Sequence, residues 1–146
     1  VKTYEISNDW RGALKPGDPI HDMWVRLTID NAFVVQAVET TMDSTPFDLC
    51  GEVGPAFQGL IGHRVGPGWN KAVRAEAGGI VGCTHLSELM RVLATVAFQT
   101  IYPLMRKELE AQLGGRRPPI LDTCRSWAAN SPITKRVFPK WYDAGS

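Results

Sequence analysis

The stretch Cys83-Thr84-His85-Leu86-Ser87-Glu88 places a thiol, an imidazole and a carboxylate close together in the chain. If Thr84 opens a helix, Cys83 lies just outside its N-terminus and His85 in its first turn. Unpaired N–H groups and the aligned peptide dipoles at such an end favour negative charge, and hence a thiolate. His85 and Glu88 are three residues apart and share a helix face, so the carboxylate can orient the imidazole. Such a set can act as nucleophile, base and orienter, or as part of a metal site. The plainer reading is a packed structural thiol beside a capping turn, since cysteine is among the most buried residue types.

His21-Asp22 forms a second polar group, with Arg26 following. In a strand these alternate: His21 shares the parity of Val25 and Leu27 and faces the core, whereas Asp22 aligns with Trp24 and Arg26. His21 is then a candidate general base at a pocket mouth, with its basicity tuned by burial. Arg26 is a candidate for holding a carboxylate or an oxyanion, an ion pair to Asp22 or Asp43 being the simpler role. His63 beside Arg64 reads as a solvated turn residue. Cys50 and Cys124, joined to Cys83 and His85, would make a metal or cluster site. The three thiols are widely scattered, however, where zinc sites bring close ligand pairs. Asp122, two residues before Cys124 in an extended stretch, projects to the same side as that thiol. No phosphate-binding glycine loop, dinucleotide fingerprint, serine elbow or paired-histidine zinc helix occurs in the sequence. The expected chemistry therefore uses no nucleotide cofactor and no metal.

Positioning these groups requires an α+β fold. Lys2–Ile6 alternates like a strand, and Ser7–Asp18, rich in Asn, Asp, Gly and Pro, reads as a long loop. Residues 23–40 read as a β-hairpin turning at Asp30-Asn31. Short helical pieces follow, fragmented by Gly51 and Gly54-Pro55 and ending at Gly62; a further short helix covers Trp69–Ala77. The longest element is a helix over 84–113, expected to be buried on several sides between Val92 and Phe98 and bent at Pro103. Pro118-Pro119 restarts the chain as a strand, Ile120–Cys124. The aromatic tail, with Trp127, Phe138, Trp141 and Tyr142, carries enough apolar area to dock.

The sequence has 146 residues, the commonest size for one domain, and no internal repeat. Sixteen Lys and Arg against fifteen Asp and Glu leave a net charge of +1, without the basic excess of a dedicated nucleic-acid binder. No apolar run reaches the roughly 18 residues that span a bilayer, so no membrane partner is expected. Three cysteines and no visible secretory signal point to a reducing, cytoplasmic setting. Because the chain opens abruptly in an alternating stretch, an upstream N-terminal segment is expected. A homodimer is expected on general grounds alone, two-fold dimers being the commonest oligomers.

Three stretches, Pro19-Ile20-His21-Asp22-Met23-Trp24-Val25-Arg26-Leu27, Gly82-Cys83-Thr84-His85-Leu86-Ser87-Glu88-Leu89 and Leu121-Asp122-Thr123-Cys124, resemble the bacterial family called domain of unknown function 2889. The likeness runs from Thr3 to Tyr142, with Gly-Cys-Thr-His-Leu its most specific part. It implies a further N-terminal stretch and a role near the breakdown of aromatic and acyl compounds. The matching positions are His21, Asp22, Arg26, Cys83, His85, Glu88, Asp122 and Cys124. The hairpin followed by a Gly-Cys helix start is also similar to iron–sulfur scaffold proteins, although Thr123 stands where those carry a His before the Cys.

These readings converge on a small-molecule catabolic enzyme, foremost a lyase breaking a C–C or C–O bond of an aromatic or acyl substrate. His21 or His85 is the base, Arg26 the anion stabiliser, and Asp22 or Glu88 the orienting carboxylate. A thiol hydrolase or transferase built on Cys83 is a variant. The alternatives are a metal- or cluster-binding accessory protein and a non-catalytic ligand-binding module.

Overall fold

The computed structural model describes residues 2–145. The chain is α+β and separates into two compact units, Val1–Ile101 and Tyr102–Ser146. The first unit opens with a small antiparallel hairpin of β1 (Ile6–Asn8) and β2 (Gly12–Leu14), where a loop is expected from composition. Its turn is made by Asn8, whose Oδ1 accepts from the Trp10 and Arg11 amides at 3.0 and 2.7 Å. A side chain that copies a backbone turn in this way explains why Asn and Gly here reverse a ladder rather than dissolve it.

The main hairpin pairs β3 (Asp22–Ile29) with β4 (Val35–Ser44), longer than the expected 23–40 at both ends. Asp30 closes its turn by accepting from the Ala32 and Val34 amides, both at 2.9 Å. The register sets Met23 opposite Met42 and Arg26 opposite Glu39. An irregularity between Asp22 and Met23 lets Asp22 meet Ser44 and leaves Asp43 as the extra residue.

β4 packs on a run of 3-10 turns, Asp48–Leu60, which packs in turn on α1 (Trp69–Ala77). Gly51, Gly54, Pro55 and Gly59 interrupt this run often enough to deny it α-helical hydrogen bonding. It still buries Phe57 and Leu60 completely, beside Val35, Val38, Val73 and Ala77. The Trp69 indole also lies inside, donating from Nε1 to the Met90 carbonyl at 2.8 Å.

The long helix α2 runs Thr84–Leu113 as its spacing predicts, and continues through Pro103. It is not sheathed in apolar neighbours. Leu86, Met90, Ala97 and Ile101 are buried along one stripe, while Val92 and Val96 are 61% and 43% exposed. The expected burial of Val92–Phe98 on several sides is thus replaced by an ordinary single-faced helix. The hairpin reaches it through the Phe33 ring stacked on Phe98, centroids 6.3 Å apart, and through His21 on His85.

The second unit holds the end of α2, where Arg106 Nε donates to Glu110 at 2.7 Å. The expected strand Ile120–Cys124 is absent; the backbone there turns, with Asp122 at a positive φ of 62°. The Asp122 carboxylate accepts from the Ala129 amide and pairs with Arg117, which hold its pKa below the ordinary aspartate range. A chain looping back onto its own carboxylate has no free ladder to offer. α3 (Pro132–Val137) is capped by Ser131, whose Oγ accepts from the Thr134 amide at 3.0 Å. The tail aromatics pack as expected, Trp127 against Phe138 at 5.7 Å.

Candidate functional site

In the first unit, the start of β3, the end of β4 and the N-terminus of α2 surround one cavity of about 260 Å³. The hairpin contributes His21, Met23 and Met42 to its wall. The loop after β4 contributes Thr45, Pro46 and Phe47, and the 3-10 run contributes Cys50. Cys83 and His85 complete it from the helix start.

Local rules explain each placement. His21, immediately before β3, and Met23 within it line the same side, and the Met23–Met42 pairing carries that side across the hairpin. Thr45 is nearly buried and donates its hydroxyl to the Phe47 carbonyl at 2.9 Å, which fixes the loop. Gly82 is required by crowding, because a Cβ there would run into the Ala77 carbonyl at the end of α1. That close approach brings Cys83 to the cavity, and Ser87 Oγ ties the same carbonyl to α2 at 3.0 Å.

Cys83 Sγ lies 3.7 Å from His85 Nδ1, within reach of a sulfur hydrogen bond. The His85 ring in turn touches His21, with centroids 4.2 Å apart and planes inclined by 41°. His21 is exposed at the cavity rim rather than turned into the core as its parity predicts. Partial desolvation there lowers its pKa from the ordinary 6.5, and the neighbouring His85 lowers it further by charge repulsion. His21 is therefore held as the neutral imidazole, able to accept a proton at neutral pH.

This shift has a consequence for stability. An unfolded His21 takes up its proton at a higher pH than the folded one, so the unfolded state binds more protons as pH falls through 6.5. The His21 contribution is intact above that value and is lost progressively below it. Denaturant titrations between pH 7.5 and 5 (roughly the histidine range) are expected to show a stability slope that His21→Gln reduces.

Among the sequence-predicted residues, the cavity brings together His21, Cys83 and His85. Arg26 is not among them: it lies on the outer side of the hairpin, paired with Glu39 at 3.2 Å and stacked over Trp24 at 5.7 Å. Asp22 is exposed and does not line the cavity. Glu88 pairs with Arg91 at 3.2 Å rather than orienting His85. His63 contacts Glu76 at 3.4 Å instead of standing free in solvent. Cys50 joins the cavity, whereas Cys124 belongs to the second unit and is exposed. Among the described residues no group of three or more His, Cys, Asp or Glu side chains is arranged to hold a metal ion. Sequence reasoning missed Met42, Thr45, Pro46 and Phe47 as wall residues; the pairing of Met42 with Met23 was the available signal.

A family model described as "Protein of unknown function (DUF2889)" matches residues 1–99. The chain belongs to this family. The match ends two residues before the boundary of the first unit at Ile101, so the DUF2889 region contains the hairpins, α1 and the whole thiol–imidazole cavity. The Leu121–Cys124 stretch lies outside it, which shortens the likeness read to Tyr142. No curated protein and no solved structure matches the chain, and the likeness to iron–sulfur scaffold proteins has no support. Among the described residues no helix is long and apolar enough to cross a membrane.

Proposed function

We propose that this DUF2889 chain is a small-molecule enzyme that needs no nucleotide cofactor, a lyase whose apolar cavity takes a small aromatic or acyl compound. The observation that carries this reading is the meeting of Cys83, His85 and His21, from distant parts of the sequence, at one cavity. Neutral His21 serves as the base that removes a proton from carbon beside a carbonyl. His85, with the Cys83 thiol at its Nδ1, supplies the proton taken by the departing oxygen. One proton is accepted and one donated while a C–H and a C–O bond break and a C=C bond forms. The reading assigns no part to Arg26, Asp22 or Glu88. It places the protein in the reducing cytoplasm, where Cys50 and Cys83 remain thiols.

The test is a screen of aromatic and acyl compounds for a rise in melting temperature, followed by a turnover assay of each stabilising compound. A compound that stabilises the wild type and is converted, and that loses its effect in Met42→Trp where an indole fills the cavity, supports the reading. A stabilising compound that is never converted would reduce the cavity to a binding site.

A second reading, a Cys83 nucleophile activated by His85, is favoured by their 3.7 Å separation. Cys83→Ser decides between the two. In the lyase it changes turnover by less than about tenfold, whereas loss of a covalent nucleophile costs about a hundredfold or more.

A further inference from the structure

A second and larger groove, of about 470 Å³, adjoins the thiol–imidazole cavity across a shared wall. Pro46 and Phe47 line both spaces. The wall is pinned from each side: Asn8 Nδ2 donates to the Pro46 carbonyl at 2.7 Å, and the Thr45 hydroxyl donates to that of Phe47. The far bank of the groove is the β1–β2 turn, which presents Asp9 and Trp10.

Two features give the groove a chemical preference. Its aromatic walls are uncovered, Phe47 being 65% and Trp10 57% exposed, although large aromatic rings ordinarily seek cover. Among the described residues that line it, the charged ones are Asp9 and Asp48, and Arg11, which follows Trp10 in the chain, is directed to the Pro19 carbonyl at 2.7 Å. Aromatic faces beside carboxylates attract organic cations, through the ring quadrupole and through direct charge. The same surroundings repel phosphates and carboxylates.

We propose that this groove is a second subsite for the same ligand, taking an organic ammonium group while the ligand's apolar end crosses Phe47 into the thiol–imidazole cavity. The proposal rests on the function proposed above and narrows its substrate class. The ligand is an aromatic or acyl compound with an amine-bearing arm, and anionic acyl carriers are disfavoured.

Isothermal titration of the intact protein at low salt with 4-phenylbutylamine, 4-phenylbutanol and 4-phenylbutyrate tests it. These probes share a ring and a chain and differ in terminal charge. The amine is expected to bind about tenfold tighter than the alcohol, and the carboxylate weakest. Asp9→Asn combined with Asp48→Asn should erase the amine's advantage, as should high salt, with the melting temperature confirming that the variant is folded. Equal binding of amine and alcohol, both abolished by Met42→Trp, overturns the ammonium subsite and leaves the cavity reading standing. An amine that binds wild type and Met42→Trp alike overturns the single bridging ligand. Absence of binding by all three probes overturns the subsite and counts against the cavity as well.

Discussion

Replacing His85 with alanine is expected to lower turnover of the cavity's substrate by about a hundredfold or more, the usual scale for losing a positioned acid or base. His85 is the hub of the arrangement, since its ring contacts His21 and its Nδ1 faces the Cys83 thiol. Removing it takes away the proton donor and also the neighbour that helps keep His21 neutral. His85 is itself exposed, so the fold should lose no more than about 0.5 kcal/mol. The measurement is kcat/KM with a melting curve on the same sample. His21→Ala should fall to a similar degree, and the double variant little further, because groups acting as one unit are not additive. Turnover unchanged in both single variants would remove the imidazoles from the reaction.

Phe57→Ala is expected to cost about 3–5 kcal/mol of stability. Phe57 is completely buried in the 3-10 run that β4 and α1 pack against. Truncation loses the transfer energy of a whole ring and leaves a void that rigid neighbours fill poorly. With total stabilities of about 5–15 kcal/mol for a domain, such a loss approaches unfolding. Urea titration should show a lower midpoint at unchanged slope. Leu49→Ala, in the same run but exposed, should move the midpoint by no more than about 0.5 kcal/mol.

The sequence makes the helices and the face of β3 readable because those signals are local. Trp69–Ala77 ends where Gly78 follows, and Thr84–Leu113 carries apolar residues at helical spacing. Alternation likewise separates His21 from Arg26, and that parity already argues against Arg26 sharing a pocket with the imidazole. The failures are of two kinds. At Asp122, turn chemistry overrode a composition that reads as extended, with a side chain satisfying the Ala129 amide in place of a neighbouring strand. At Val92 and Val96, apolar identity does not imply burial, because a helix with one covered stripe leaves such residues outside. The cavity itself depends on Gly82 closing against Ala77 and on Cys50 arriving by way of an irregular 3-10 path. No periodicity announces either.

The contact of His21 with His85 offers a built-in reporter. The chain has three histidines, so a proton NMR spectrum holds three imidazole Hε1 resonances, two of which arise from this pair. Each ring lies in the magnetic shadow of the other, and their chemical shifts therefore register how closely the hairpin's first residues sit against the helix tip. Occupancy, protonation and local opening of the site can be followed from those two lines in unlabelled protein, before any substrate is in hand.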